Sequence, residues 1–244
     1  MKIRLKSAAC LVLSSLAGLA SFSVSADKFS PANFDFSGQE LVEKMATISS
    51  GSHVLYCRSD ISAQGKASMS HCFGKTLSFT TLSTAERTLD QLQFTPAKVE
   101  GKNIPVRMSY RVSLVEKDGS TNAYLLPNLG TMSAKYGNNY SAPQERLDVN
   151  DWYASYSEKS SEKAKPFFGM GDNARIAAEV DIRGNTSATD LIKTERSTRR
   201  DSKLALNALK KAQFIPGMVK GKEVKMDYVV GLNHNDVNHS LASN

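Results

Sequence analysis

The stretch QFTPAKVEGKNI at residues 93–104 returns as QFIPGMVKGKEV at residues 213–224, with six of the twelve positions identical at an offset of 120. A chain of 244 residues has room for two compact units of ordinary domain size. The reading therefore works outward from each copy. In the second, Ala174 to Ile182 alternates as a strand, the residues from Arg183 to Ser187 turn the chain, and Ala188 to Thr194 returns it. Arg199 to Ala212 changes to a helical period, with Asp201 or Ser202 placed to cap its start. Pro216 stops the helix from running on, and Gly221-Lys222 turns the chain into a last alternating strand from Glu223 to Leu232.

The first copy follows the same order. VLYCRSDI (54–61) and KASMSHCF (66–73) form a hairpin, Ser83 to Leu92 a helix, and Ile104 to Val115 an alternating strand. Ser37 and Glu40 have capping-box spacing for a further short helix through about Ala46. Ala85 and Leu89 occupy the offsets of Ala205 and Leu209. The expectation is an α+β fold of two small domains, each a three-stranded antiparallel sheet closed by one helix. Phe94 and Phe214 are then core wedges, Pro96 and Pro216 fix the exit from the helix, and Gly101 and Gly221 let the chain reverse.

Two cysteines outside the first 26 residues, Cys57 and Cys72, are centred on a turn at Gln64-Gly65. A symmetric hairpin about that turn sets them opposite each other, where side chains approach to roughly 5 Å, which predicts a disulfide between adjacent strands. Its role is stability: closing that loop contributes about 3 kcal/mol by chain entropy. No CxxC redox pair is present in the sequence.

Residues 1–26 carry a basic head (Lys2, Arg4, Lys6), an apolar stretch from Ala8 to Leu19 and small residues at Val24-Ser25-Ala26. This is the pattern of a secretory signal cut after Ala26, and it implies a periplasmic protein. A retained anchor is the competing reading, because Ser7 to Ala26 approaches the length that crosses hydrocarbon. Without the leader, 28 basic residues stand against 24 acidic, and the surplus lies wholly beyond residue 157. That excess favours solubility and mild attraction to anionic surfaces. It lacks the clustered reading element of a nucleic-acid binder, so no nucleic-acid partner is expected.

The histidines, His53, His71, His234 and His239, have no HExxH or three-ligand spacing. Neither a Gly-rich phosphate loop nor a nucleophile elbow stands in the sequence. The chain is expected to bind rather than catalyse, with no cofactor and no metal.

The arrangement resembles the C-terminal domain of TonB, the energy transducer of the Gram-negative envelope. That family has a pattern similar to W-[RK]-F-x-P-A-x-x-x-G-x-P-V between a helix and a last strand. The match runs through Lys211-Ala212-Gln213-Phe214-Ile215-Pro216-Gly217 and Gly221-Lys222-Glu223-Val224, and in the first copy through Leu92-Gln93-Phe94-Thr95-Pro96-Ala97 and Gly101-Lys102-Asn103-Ile104. Leu92 and Ala212 stand near the place of the family's tryptophan, the Pro-rich spacer is missing and the leader has no histidine. The resemblance implies a fold and a peptide-binding style, without carrying over energy transduction.

A small open sheet leaves edge donors and acceptors to which a partner strand can add. The expected edges are the last strands, with Arg107, Ser109 and Arg111 in the first copy and Lys225 and Asp227 in the second. The occupant would be an extended peptide, an envelope protein, outer-membrane proteins included, or a second protomer. The alternatives are an assembly module whose two domains pair with each other, and a TonB-type transducer with a retained anchor. The expected organisation is a signal at 1–26, a first domain at 27–116, a connector at 117–165 containing Trp152 and several tyrosines, a second domain at 166–233 and a polar tail at 234–244. The Tyr/Trp-rich centre of the connector packs on one copy or forms a ligand surface.

Overall fold

The structure is a computed structural model that describes residues 28–45, 51–149, 151–157, 165–167, 174–194 and 199–233. The leader expected at 1–26 and the tail expected at 234–244 lie outside the described residues. The elements run β1 (Phe29–Ser30), β2 (Asn33–Phe34), α1 (Gly38–Lys44), β3 (His53–Ile61), β4 (Ala67–Phe73), α2 (Phe79–Gln91), β5 (Phe94–Thr95), β6 (Ala97–Val99), β7 (Lys102–Ile104), β8 (Val106–Lys117), β9 (Ser120–Leu126) and α3 (Ser133–Tyr136). They continue with β10 (Tyr140–Ser141), β11 (Gln144–Arg146), α4 (Trp152–Ser157), β12 (Lys165–Phe167), β13 (Ala174–Val180), β14 (Thr186–Thr194), α5 (Arg199–Leu209), β15 (Phe214–Ile215), β16 (Gly217–Val219), β17 (Lys222–Val224) and β18 (Met226–Asn233). The fold is α+β, and every strand pairing is antiparallel.

The same succession of hairpin, helix, short strands and long strand occurs twice with the same pairings. β3 lies between β4 and β8, as β13 lies between β14 and β18. The quoted motif explains why. Gly65 and Gly184 both have φ near +79°, and a Cβ at either would stand 2.0 Å from the carbonyl oxygen of Phe94 or Phe214. Only glycine lets the hairpin turn press against the strand after the helix. The phenylalanine N–H then donates to the glycine carbonyl, at 2.9 Å in the first unit and 2.8 Å in the second. Phe94 and Phe214 are buried as wedges, with Tyr110 and Tyr228 against them. Gly101 and Gly221 follow Glu100 and Lys220, and all four have positive φ, which is the tight turn that suits a two-residue hairpin.

Helix α1 starts where the capping box predicts: Ser37 Oγ accepts from the Glu40 N–H at 3.1 Å. Helix α2 begins earlier than expected, at Phe79, because Ser78 supplies a cap by accepting from Thr81 N–H. The apolar spacing had drawn attention only to the buried positions from Ala85 onward.

The stretch expected to be one connector is divided between the units. β9 extends the first sheet beside β8, and its Ala123 and Leu125 pack on the first core. β10 pairs with β16, β11 with β15, and Trp152 is fully buried in the second core. Strands β10 and β11 and helix α4 thus belong to the second unit, in the places that β1, β2 and α1 take in the first. Packing of the aromatic centre on one copy, one of the two expected roles, is what Trp152 does. Its signal was hidden because strands of two or three residues have no readable period.

Candidate functional site

Two edges built from equivalent strands invite comparison. β4 ends the first sheet and β14 ends the second. Cys57 pairs directly with Cys72 and the two form the expected disulfide, while Ile176 and Leu191 hold the same register in the second unit. By that register Ser70 corresponds to Thr189 and Cys72 to Leu191. Glu86 and Asp90 of α2 correspond to Leu206 and Lys210 at the end of α5.

On β4 the outward N–H groups are occupied. Ser70 N–H donates to Asp90 Oδ1 at 3.0 Å, and Cys72 N–H donates to Glu86 Oε1 at 2.8 Å. The same Glu86 oxygen lies 3.0 Å from His71 Nδ1. Helix side chains one turn apart thus stand where a neighbouring strand's carbonyls would be. Met69, with φ of 53°, further breaks the line of this edge, while register shifts occur in both the β3–β4 and the β13–β14 pairings.

On β14 neither carboxylate exists. Leu206 and Lys210 are in the two places, and Asp190 Oδ1 accepts from the following Leu191 N–H at 2.8 Å. Thr186 Oγ1 donates to the carbonyls of Leu209 and Ala212, which draws the end of α5 against the start of β14. The result is a groove of about 390 Å³ lined by Thr186, Ser187, Ala188, Thr189 and Lys210. Ile192, 52% exposed, continues the uncovered strand. No strand lies on this side of β14 among the described residues.

Of the two edges expected from sequence, the one on β8 is covered, whereas β18 carries a strand on its outer side only over Gly231–Asn233 among the described residues. β8 is interior to its sheet, with β3 on one side and β9 and β11 on the other. Arg107 and Ser109 are 3% and 5% exposed. Arg107 spends all five N–H donors on carboxylates: Asp60 from β3 at 2.8 and 3.0 Å, Glu145 from β11 at 3.1 Å, and Asp151 at the start of α4 at 3.2 and 3.3 Å. Arg111 donates to Asn138 Oδ1 at 2.9 Å. The alternation in 106–115 reports a strand, but not whether its flanks are taken, and residues far along the chain take them. β18 is flanked by β13 and, over Gly231–Asn233, by β12. Lys225 is 2.7 Å from Glu179, and Asp227 is exposed.

The Arg107 cluster therefore joins the units. The Arg58 and Arg107 guanidinium groups lie 5.9 and 5.8 Å from the Tyr153 ring. Gln144 fastens the seam further, its side-chain amide exchanging two 2.8 Å bonds with the backbone of Ala32. Ile215 and Met218 of the second unit are buried in the first core. Burial pushes the Glu145 carboxyl up to about 7; Arg107 opposes this, while Asp151 and Asp60 add to it. Burial alone would lower Arg107, but Glu145, Asp60 and Asp151 hold it above the ordinary guanidinium range.

No group of three His, Cys, Asp or Glu suited to a metal occurs among the described residues, and no described helix is long and apolar enough to cross a membrane. Comparison with family models, curated proteins and solved structures gives no match.

Proposed function

We propose that the protein is a tandem binding module of the cell envelope that captures an extended polypeptide by strand addition on β14. Each unit is read as a divergent TonB C-terminal-like domain, and the leader pattern supports export to the periplasm. The observation that carries the proposal is that β14 lacks both helix carboxylates that cap its twin β4: Asp190 of the strand itself takes the Leu191 N–H, and no carboxylate stands at the place of Asp90 beside Thr189. An edge that has lost such caps exposes backbone donors and acceptors that another strand can satisfy. The test is capture of envelope peptides by the wild-type protein and by Leu206→Glu/Lys210→Asp, which restores the carboxylates of the first unit. Captured peptides lost in the double variant support the proposal, and unchanged capture refutes it.

A second reading, an assembly module acting through domain pairing, is favoured by the seam itself. β11 connects β15 to β8, and Arg107 binds carboxylates from both units. The two readings are compatible in one respect: a rigid seam fixes the second unit without using its β14 edge. They part on oligomer mass. Binding through β14 leaves the free protein's mass unchanged, whereas a pure assembly role predicts self-association without peptide.

A further inference from the structure

We infer that the segment accepted on β14 is acidic; this rests on the strand-addition reading above. The argument starts from helix geometry. Residues at i, i+4, i+7 and i+11 share one stripe of a helix. In α2 the stripe that faces the β4 edge is identified by its bonds: Glu86 and Asp90 reach Cys72 and Ser70. The same stripe continues back through Ser83 and Phe79. In the second unit these four positions are Arg199, Lys203, Leu206 and Lys210. The two carboxylates have become Leu206 and Lys210, Phe79 and Ser83 have become Arg199 and Lys203, and the three cations are all exposed.

Lys210 lines the groove together with Thr186–Thr189. Lys210 can thus meet a carboxylate on a strand that pairs with β14, while Leu206 packs on the second core. Carboxylates in reach of the groove are few: Asp190 is turned onto its own neighbour's N–H, and Glu179 is engaged by Lys225 and Ser187. A basic strand would meet Lys210 and Lys203 as like charges, which disfavours it as a partner. An anionic membrane would also be attracted to the cations, but a lipid surface has no strand to meet the backbone of β14. The combination of cations and an open strand edge points to a polypeptide.

The test uses the full-length protein and three synthetic ten-residue extended peptides with the same apolar alternation, bearing Glu, Gln or Lys at the remaining positions. Binding is followed by titration and by chemical-shift changes of β14 amides, at low and high salt. The expected order is Glu, then Gln, then Lys, with the Glu peptide at least about tenfold tighter than the Gln peptide at low salt and the margin shrinking as salt screens it. Lys210→Ala should narrow that margin several-fold, weakening the Glu peptide more than the Gln peptide. Equal binding of Glu and Gln peptides on β14 overturns the acidic preference but leaves strand addition standing. Absence of any β14 response to all three peptides overturns strand addition itself. Vesicles of phosphatidylglycerol are the remaining arm: binding to them that displaces the Glu peptide from the cations, without protection of β14 amides, would overturn the choice of a polypeptide partner.

Discussion

Strand β4 ends its sheet with Asp90 and Glu86 turned onto its outward N–H groups, whereas β14 ends its sheet beside Lys210 and Leu206. The backbones are laid out alike, down to the glycine turn that presses on each phenylalanine. The difference lies in two side chains on one helical stripe and in Met69, whose φ of 53° breaks the line of β4. A duplicated sheet can thus keep a closed edge in one copy and offer an open one in the other, with no change of topology. The seam shows a parallel divergence: Arg107 is buried among three carboxylates, while its counterpart by register, Asp227, is exposed.

The largest effect should come from the seam. Arg107→Met leaves Asp60, Glu145 and Asp151 together without their cation, and should cost about 3–5 kcal/mol in urea denaturation. Asp227→Ala, at the matching place in the second unit, should stay within about 0.5 kcal/mol. Equal losses at the two positions would break the contrast between a bonded and an unbonded face. Replacing Cys57 and Cys72 by alanine should cost about 3 kcal/mol. Hydrogen exchange would localise that loss to β3 and β4 and leave the Ile176–Leu191 pair protected.

Glu145 sharpens the comparison through pH. Its carboxyl is raised in the folded state from 4.5 to about 7, so the native protein holds a proton that the unfolded chain has released. The stabilising contribution is full below pH 4.5 and is lost as pH rises through 7, a change on the order of 3 kcal/mol. Denaturation curves of Glu145→Gln between pH 5 and 8 should be flatter than those of the wild type. A wild-type stability that rises over this interval, with the variant following it, would contradict the assignment.

The smallest effect on stability is the most telling for function. Glu86→Ala/Asp90→Ala removes the caps from β4 and should cost about 1 kcal/mol per bond. In return β4 should acquire a second, weaker peptide site, seen as a change in binding stoichiometry. Stoichiometry that stays at one would show that Met69 suffices to keep β4 closed.

Much of this was legible in the sequence. The repeated Phe-x-Pro stretch announced two equivalent units, and the Cys57–Cys72 register followed from symmetry about Gln64-Gly65, because both depend on neighbours close in the chain. Strands β10 and β11 within the expected connector were not legible, because they are too short for alternation to show and gain their place by pairing with residues about 70 to 80 positions away. The expected edge on β8 failed for the same reason: nothing local to Arg107 reveals that Glu145 and Asp151 engage it. The signal for β14 was nevertheless present. Aligning the helices sets Glu86 and Asp90 against Leu206 and Lys210, a charge change inside an otherwise matched face, though its meaning depends on knowing which stripe looks at the edge.

Amide hydrogen exchange read by NMR on the free protein and on its complex with the Glu peptide tests the central claim most directly. The account predicts that Ser70 and Cys72 are protected in both states, while Thr189 exchanges quickly when free and becomes protected on binding. Thr189 protected as strongly as Ser70 in the free protein, or protection that appears on β9 in place of β14, would contradict it.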